Sequence, residues 1–216
     1  MQQDDFESAP SQYVTGWRGL ETVEPLADDT TGIDAVTRLR ATGLVHRTQH
    51  IASPNRNERP AGAAIELLVI HNISLPPGDF GGDAVIELFT NRLDPAAHPY
   101  FAEVAALKVS AHLLLRRDGS ALQFVSCNER AWHAGVSSWN GRGQCNDFSI
   151  GIELEGTDEL PYTTAQYARL IGIAQVLMRA YPIRHATGHS NIAPERKTDP
   201  GPHFDWRLFR AATGLR

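Results

Sequence analysis

Residues 66–72 read ELLVIHN, an aliphatic run that ends in His71 and Asn72. Four successive aliphatic residues without polar alternation are what a strand needs when both faces of its sheet are covered. A sheet with one wet face would place a polar residue at every second position. The run is too short to cross a membrane, and no other stretch approaches the roughly 18 apolar residues that a span requires. A sheet covered by helices is therefore the framework into which the rest of the chain must fit.

The remaining patterns supply such helices and further strands. After the turn signal Pro76-Pro77-Gly78, Asp83 caps a helix whose Val85, Leu88 and Phe89 share one face. Residues 109–117 and 120–126 flank Asp118-Gly119, a two-residue signal for a tight hairpin. Residues 148–154 read as another strand, with Phe148, Ile150, Ile152 and Leu154 on one face and Ser149, Gly151 and Glu153 on the other. The clearest helix runs from Thr163 to about Tyr181. It opens on a Thr163/Gln166 capping box, carries apolar residues at 167, 170, 171, 174, 177, 178 and 181, and stops before Pro182. Asp205 caps a last short helix. Strands and helices alternate irregularly with a hairpin among them, which predicts an α/β (α+β) single domain with a central mixed β-sheet flanked by helices.

A chain of 216 residues with 42% hydrophobic content can bury one substantial core. Its formal charge of −5 offers no basic field for a polyanion, so nucleic acid is not an expected partner. Residues 1–37 hold eight acidic residues and one basic one. Residues 1–41 thus read as an acidic extension, disordered or accessory, and 42–216 as the catalytic domain. The first ten residues carry Asp4, Asp5 and Glu7 where a signal peptide would be positive and then apolar. Cys127 and Cys145 fall in no disulfide framework. The expectation is a cytoplasmic monomer with no membrane partner.

Chemistry concentrates at three residues: His71 at a strand end, His189 in Thr-Gly-His-Ser, and Asp199 in Lys-Thr-Asp-Pro-Gly. Two imidazoles and a carboxylate are a common catalytic zinc set, leaving a fourth position for water or substrate. Spacing alone does not join them, because His189 and Asp199 are separated by a loop with Pro194 and nine histidines allow other combinations. Cys145 offers a different class, a Cys-His hydrolase. No nucleophile signature surrounds it, and that reading leaves Lys197 and Asp199 without a role.

Four runs taken together narrow the choice: residues 69–78 (VIHNISLPPG), 130–135 (RAWHAG), 146–156 (NDFSIGIELEG) and 187–201 (TGHSNIAPERKTDPG). In order and spacing they resemble the zinc amidases that share a fold with phage-type amidases and peptidoglycan recognition proteins, and among these the anhydromuramoyl-L-alanine amidases of cell-wall recycling. The resemblance covers about residues 42–209 and leaves the acidic segment uncovered. It implies one Zn2+ held by His71, His189 and Asp199, with Glu153 and Lys197 as the catalytic pair. It also implies hydrolysis of the amide between the lactyl group of (1,6-anhydro-)N-acetylmuramic acid and L-alanine in small muropeptides. Glu153 would take a proton from the attacking water and deliver it to the leaving nitrogen, and Lys197 would stabilise the oxyanion.

The residues allow other readings. Glu155 lies on the same strand face as Glu153 and competes for the role of base. Lys197 could instead form a surface ion pair with Asp199 or Glu195. His112 reads as a buried, hydrogen-bonded histidine near the site. Trp132 and His133 line the substrate cleft or belong to a packed loop, and Asn72 contacts substrate or satisfies backbone. His46, His50, His98, His185 and His203 read as surface residues. Two other functions remain: a muropeptide-binding module without catalysis, and a broader amidase acting on the cell wall.

Overall fold

The computed structural model describes residues 34–216. In chain order the elements are α1 (Ala35–Thr42), β1 (Gln49–His50), β2 (Arg56–Asn57), β3 (Leu67–Ile73), α2 (Ala84–Phe89), α3 (Pro99–Val104), β4 (Leu113–Leu115), β5 (Ala121–Gln123), β6 (Arg130–Ala131), β7 (Ser138–Trp139), β8 (Arg142–Gly143), β9 (Ser149–Glu155), α4 (Thr164–Ala180), β10 (His185–Gly188), α5 (His189–Ile192) and α6 (Trp206–Thr213). The main sheet has the order β1-β5-β4-β9-β3-β10. Only β4 and β5 pair antiparallel within it, so the sheet is mixed, as expected.

The aliphatic run lies in β3 between two parallel neighbours, and Leu67 to Ile70 are all buried. Alternation sends Leu68 and Ile70 to one face, where they join Ile150, Ile152, Leu154, Leu113 and Leu115 beneath α4, α1 and α6. Leu67 and Val69 go to the other face, packing with Ala134, Cys145, Phe148 and Ile192. Both faces are covered, which is why no polar alternation was visible. Phe148 departs from the expected pattern. It precedes β9, at the end of the 3-10 turn Cys145–Asp147, and packs on the face opposite Ile150.

The capping box at Thr163 forms: its hydroxyl accepts from Gln166 N at 3.1 Å, and Gln166 Oε1 accepts from Thr163 N at 3.1 Å. Gln166 also reaches into the sheet, donating through Nε2 to Glu155 O at 2.9 Å. At the other end of α4, Arg40 of α1 donates to the carbonyls of Arg179 and Ala180. These carbonyls have no partner within their own helix. Among the described residues the packed unit therefore includes α1, inside the segment expected as an extension, and a boundary at 41/42 would cut that helix. The rest of the acidic extension, 1–33, lies outside the described residues.

Two local expectations change. The hairpin loop has three residues, because Arg116 N bonds Ser120 O and leaves 117–119 to turn the chain, with Gly119 at φ 84°. Only Leu113–Leu115 and Ala121–Gln123 pair across it. Asp83 stands at the start of α2, yet its side chain makes no cap bond there. It lies instead 3.5 Å from Arg116. Asp205 caps α6 as expected, accepting from Leu208 N at 2.8 Å.

Thr163 supports both the first turn of α4 and the hairpin, since its hydroxyl donates to Arg117 O at 2.7 Å. Thr163→Ala should cost about 1–2 kcal/mol. This corresponds to a fall of roughly 2–4 °C in melting temperature per kcal/mol for a chain of this size. Thermal unfolding followed by circular dichroism checks it.

Candidate metal centre and active-site cleft

The C-terminal ends of three adjacent parallel strands converge on one cleft. In the β3–β9 register His71 stands opposite Glu153, and β10 ends at Gly188, just before His189 begins α5. Asp199 arrives on the following loop, whose carbonyl accepts from Ser190 N at 2.9 Å. A Cβ on Gly188 would lie 2.7 Å from Pro200 Cδ, so glycine lets this loop close against the strand end.

His71 Nδ1 and His189 Nδ1 are 3.0 Å apart, and Asp199 Oδ2 lies 3.0 Å from the first and 3.1 Å from the second. The outer nitrogen of His189 faces Ala134 O at 3.2 Å, and that of His71 faces His133 Nδ1 at 3.0 Å. Each outer nitrogen can thus carry its ring's proton, leaving both Nδ1 lone pairs directed at each other and at a carboxylate. Such a group is stable only around a proton or a cation. Its two imidazoles and one carboxylate fit zinc, and the open side faces the cleft.

Electrostatics favour the forms a cation needs. Burial pushes His71 down to about 4, offset in part by Asp199. Burial alone would raise Asp199, but the two imidazoles packed against it, His189 and His71, override it and hold the carboxyl well below its usual range. Glu153 behaves oppositely: burial, then the charge of Asp199, raise it well above the ordinary value against the opposing pull of Lys197. Glu153 is buried, and its Oε2 has no hydrogen-bond partner among the described residues. Lys197 is exposed on the cleft rim and forms no ion pair with Asp199 or Glu195 among the described residues.

The cleft has a volume of about 630 Å³. Leu75, Tyr100, Val104 and Leu107 give it an apolar side, and Asp158, Arg196 and Lys197 a polar one. Trp132 lines it and donates through Nε1 to Asn57 Oδ1 at 2.6 Å. Asn72 also lines it, donating to Asp158 Oδ1 at 2.7 Å. His133 lines it too, mostly buried beside His71, with its ring nitrogens 3.0 Å from His71 Nε2 and 3.2 Å from Ser149 Oγ.

Glu155 is engaged elsewhere: its oxygens accept from Gly81 N at 2.6 Å and Arg117 N at 3.1 Å, pinning two loops. His112 is fully buried, with Nδ1 accepting from Gly151 N at 3.0 Å and Nε2 against Glu129 O at 3.1 Å. Cys145 packs in an apolar cluster and burial raises its thiol, the reverse of what a nucleophile needs. His98, expected at the surface without partners, caps α3 by accepting from Tyr100 N. Sequence reasoning passed over Arg59, whose buried guanidinium donates to the carbonyls of Asn146, Asp147, Cys127 and Ser149 and fixes the approach to β9. An isolated arginine in a polar stretch gave no signal of this.

The sequence profile of the N-acetylmuramoyl-L-alanine amidase family matches residues 61–202. The 1,6-anhydro-N-acetylmuramyl-L-alanine amidase AmpD of Salmonella typhimurium strain SL1344 is 56% identical over 175 residues, spanning 80% of this chain and 94% of the relative. A crystal structure of a selenomethionine derivative of AmpD superposes with a TM-score of 0.78 at 58% identity, covering 79% of this chain and 97% of that one. The amidase AmiD from E. coli, solved with the substrate anhydro-N-acetylmuramic acid-L-Ala-D-gamma-Glu-L-Lys, gives a TM-score of 0.52 at 32% identity, covering 73% of this chain and 61% of that one.

An unpartnered buried carboxylate has a stability signature. Its folded-state pKa is raised, so wild-type protein loses stability as pH climbs from the usual 4.5 towards that higher value, then levels off. In metal-free protein, Glu153→Gln should therefore melt above wild type at pH 8. The gain should vanish near pH 4, where both states hold the proton. Paired melting curves across this range check the sign.

Proposed function

Because the chain belongs to the N-acetylmuramoyl-L-alanine amidase family, we propose that it is a zinc enzyme that hydrolyses the amide between the lactyl group of 1,6-anhydro-N-acetylmuramic acid and L-alanine in small muropeptides. The observation that carries this reading is the orphaned Oε2 of Glu153 beside the inward-facing trio of His71, His189 and Asp199. Neither feature serves the fold, and together they suit water activation.

The chemistry divides among the residues as follows. A zinc ion held by the trio would polarise the lactyl carbonyl and lower the pKa of a water from 15.7 to roughly 7. Glu153 Oε2, with no internal partner, accepts the proton of the attacking water. Its raised pKa then suits it to give that proton to the alanine nitrogen as the amide bond breaks. Lys197 on the rim brings its ammonium to the oxygen that gains negative charge. Trp132 and Asn72 bound the volume in which the sugar and peptide lie.

The anhydro form of the sugar is supported by the relatives at 55–58% identity whose names specify it. A broader wall amidase has weaker support, since AmiD of E. coli is 32% identical. A binding module without catalysis would have no use for an unpartnered buried Glu153. No helix among the described residues is long and apolar enough to cross a membrane. A cytoplasmic location is supported by the two buried, free cysteines, and a place in peptidoglycan recycling by the anhydro-amidase relatives.

Metal analysis should find about one zinc per chain, a stoichiometry set by a single three-ligand site. Chelation should abolish release of peptide from anhydromuramoyl-peptide, and zinc should restore it. Glu153→Ala should keep zinc and lose about 10²–10⁴ in turnover, and Lys197→Ala about 10²–10³. Asp199→Ala should lose zinc itself. A folded wild-type protein that binds the fragment and leaves it uncut would overturn the assignment.

A further inference from the structure

We propose that His133 is a positioning residue for the metal centre: it holds His71 in the tautomer that carries its proton on Nε2, so that Nδ1 is left as the ligand atom. This rests on the zinc reading above and adds a residue to it. Single protons fix the direction of a buried chain of hydrogen bonds. It starts at Ser149, whose hydroxyl donates to the Cys145 carbonyl at 2.6 Å. That hydroxyl has one hydrogen, so towards His133 Nε2, 3.2 Å away, it can only accept.

His133 therefore carries its proton on Nε2. Among the described residues no carboxylate meets its ring, and a buried imidazole without one stays neutral. Its Nδ1 is then a bare acceptor, and 3.0 Å away stands His71 Nε2, which must donate to it. The remaining nitrogen of His71 is Nδ1, the atom that faces His189 and Asp199. The direction of every bond in the chain is thus set at its far end, by a backbone carbonyl that cannot donate.

The surroundings are shaped to keep this ring in place. A Cβ on Gly151 would run into the His133 ring, so the middle of β9 is cut away to seat it. Asn146 Oδ1 accepts from His133 N at 3.2 Å and Ala134 N at 2.8 Å, fixing the backbone on which the ring stands. His112, the other buried histidine nearby, already spends Nδ1 on Gly151 N and cannot replace it. His189 has its own orienting acceptor in Ala134 O. Both imidazole ligands are thereby oriented from residues 133 and 134, one through a side chain and one through a carbonyl.

The test measures zinc affinity by competition with a chromophoric chelator, alongside melting of the metal-free protein. His133→Phe keeps the ring volume and removes the acceptor; it should weaken zinc about 10–100-fold, the usual cost of losing a partner that orients a ligand. His133→Asn, whose Oδ1 can take the place of Nδ1, should recover most of that loss, which a merely space-filling role would not predict. Long-range 1H–15N correlation spectra of zinc-loaded wild-type protein should show the proton on Nε2 of both His71 and His133. This readout needs no variant to fold. A folded His133→Phe that binds zinc within about two-fold of wild type, well short of the usual loss, overturns the proposal. So does a proton on Nδ1 of His133, with the zinc amidase reading left standing. A wild-type chain that takes up no zinc overturns both.

Discussion

The parallel pairing of β3 with β9 is the contact on which the site depends. Its register runs from Leu67 opposite Ser149 to Ile73 opposite Glu155, and it sets His71 beside Glu153. Neighbouring strands lie about 4.8 Å apart, so the spacing of His71 from Glu153 is set by backbone hydrogen bonds. A slip of one residue would turn Glu153 into the core and Ile152 into the cleft. The core opposes that slip from both sides, with Ile150 and Ile152 under α4 and Leu67 and Val69 on the opposite face. The aliphatic residues that fold the sheet thereby also hold the geometry of the chemistry.

Within that frame two carboxylates a short way apart are driven in opposite directions. Asp199 sits between two imidazoles, and their close approach outweighs its burial. Glu153 is buried without a partner and feels the charge of Asp199 as well. Pairs of titratable groups pushed apart by their environments are how one site assigns different tasks to the same functional group. Here one carboxylate is held towards its ionised form and the other is pushed towards its protonated one. Lys197 moderates the second without neutralising it, because it stands at the exposed rim.

Much of this was legible in the sequence wherever a local rule governed. The run 67–70, the capping box of α4 and the Asp118-Gly119 turn each specify their element through neighbouring residues. Long-range contacts left no such mark. Arg40 reaches the end of α4 across 139 residues of chain, so α1 read as part of a tail. Glu153 and Glu155 alternate on one strand face and no pattern separates them. What does is that the loops of Gly81 and Arg117 close over Glu155 and leave Glu153 open. The trio of His71, His189 and Asp199 had no common periodicity, because the loop carrying Asp199 is placed by a backbone bond to Ser190 and by Pro200 against Gly188. Resemblance between ordered motifs supplied what spacing could not.

One face of β9 gathers these threads. Ser149 begins the chain of proton donors, Gly151 leaves the space in which His133 stands, Glu153 faces the cleft unpartnered, and Glu155 fastens the two loops above it. By ordinary strand preferences, a glycine in mid-strand and two buried glutamates weaken the element that carries them. The opposite face offsets this with Ile150, Ile152 and Leu154, all buried in the largest cluster of the core. Departures from local preference confined to one face of one strand are the mark of a site rather than of a poor sequence. They also explain why β9 lies inside the sheet: a strand that gives up one face to chemistry needs paired neighbours on both edges and a full core behind it.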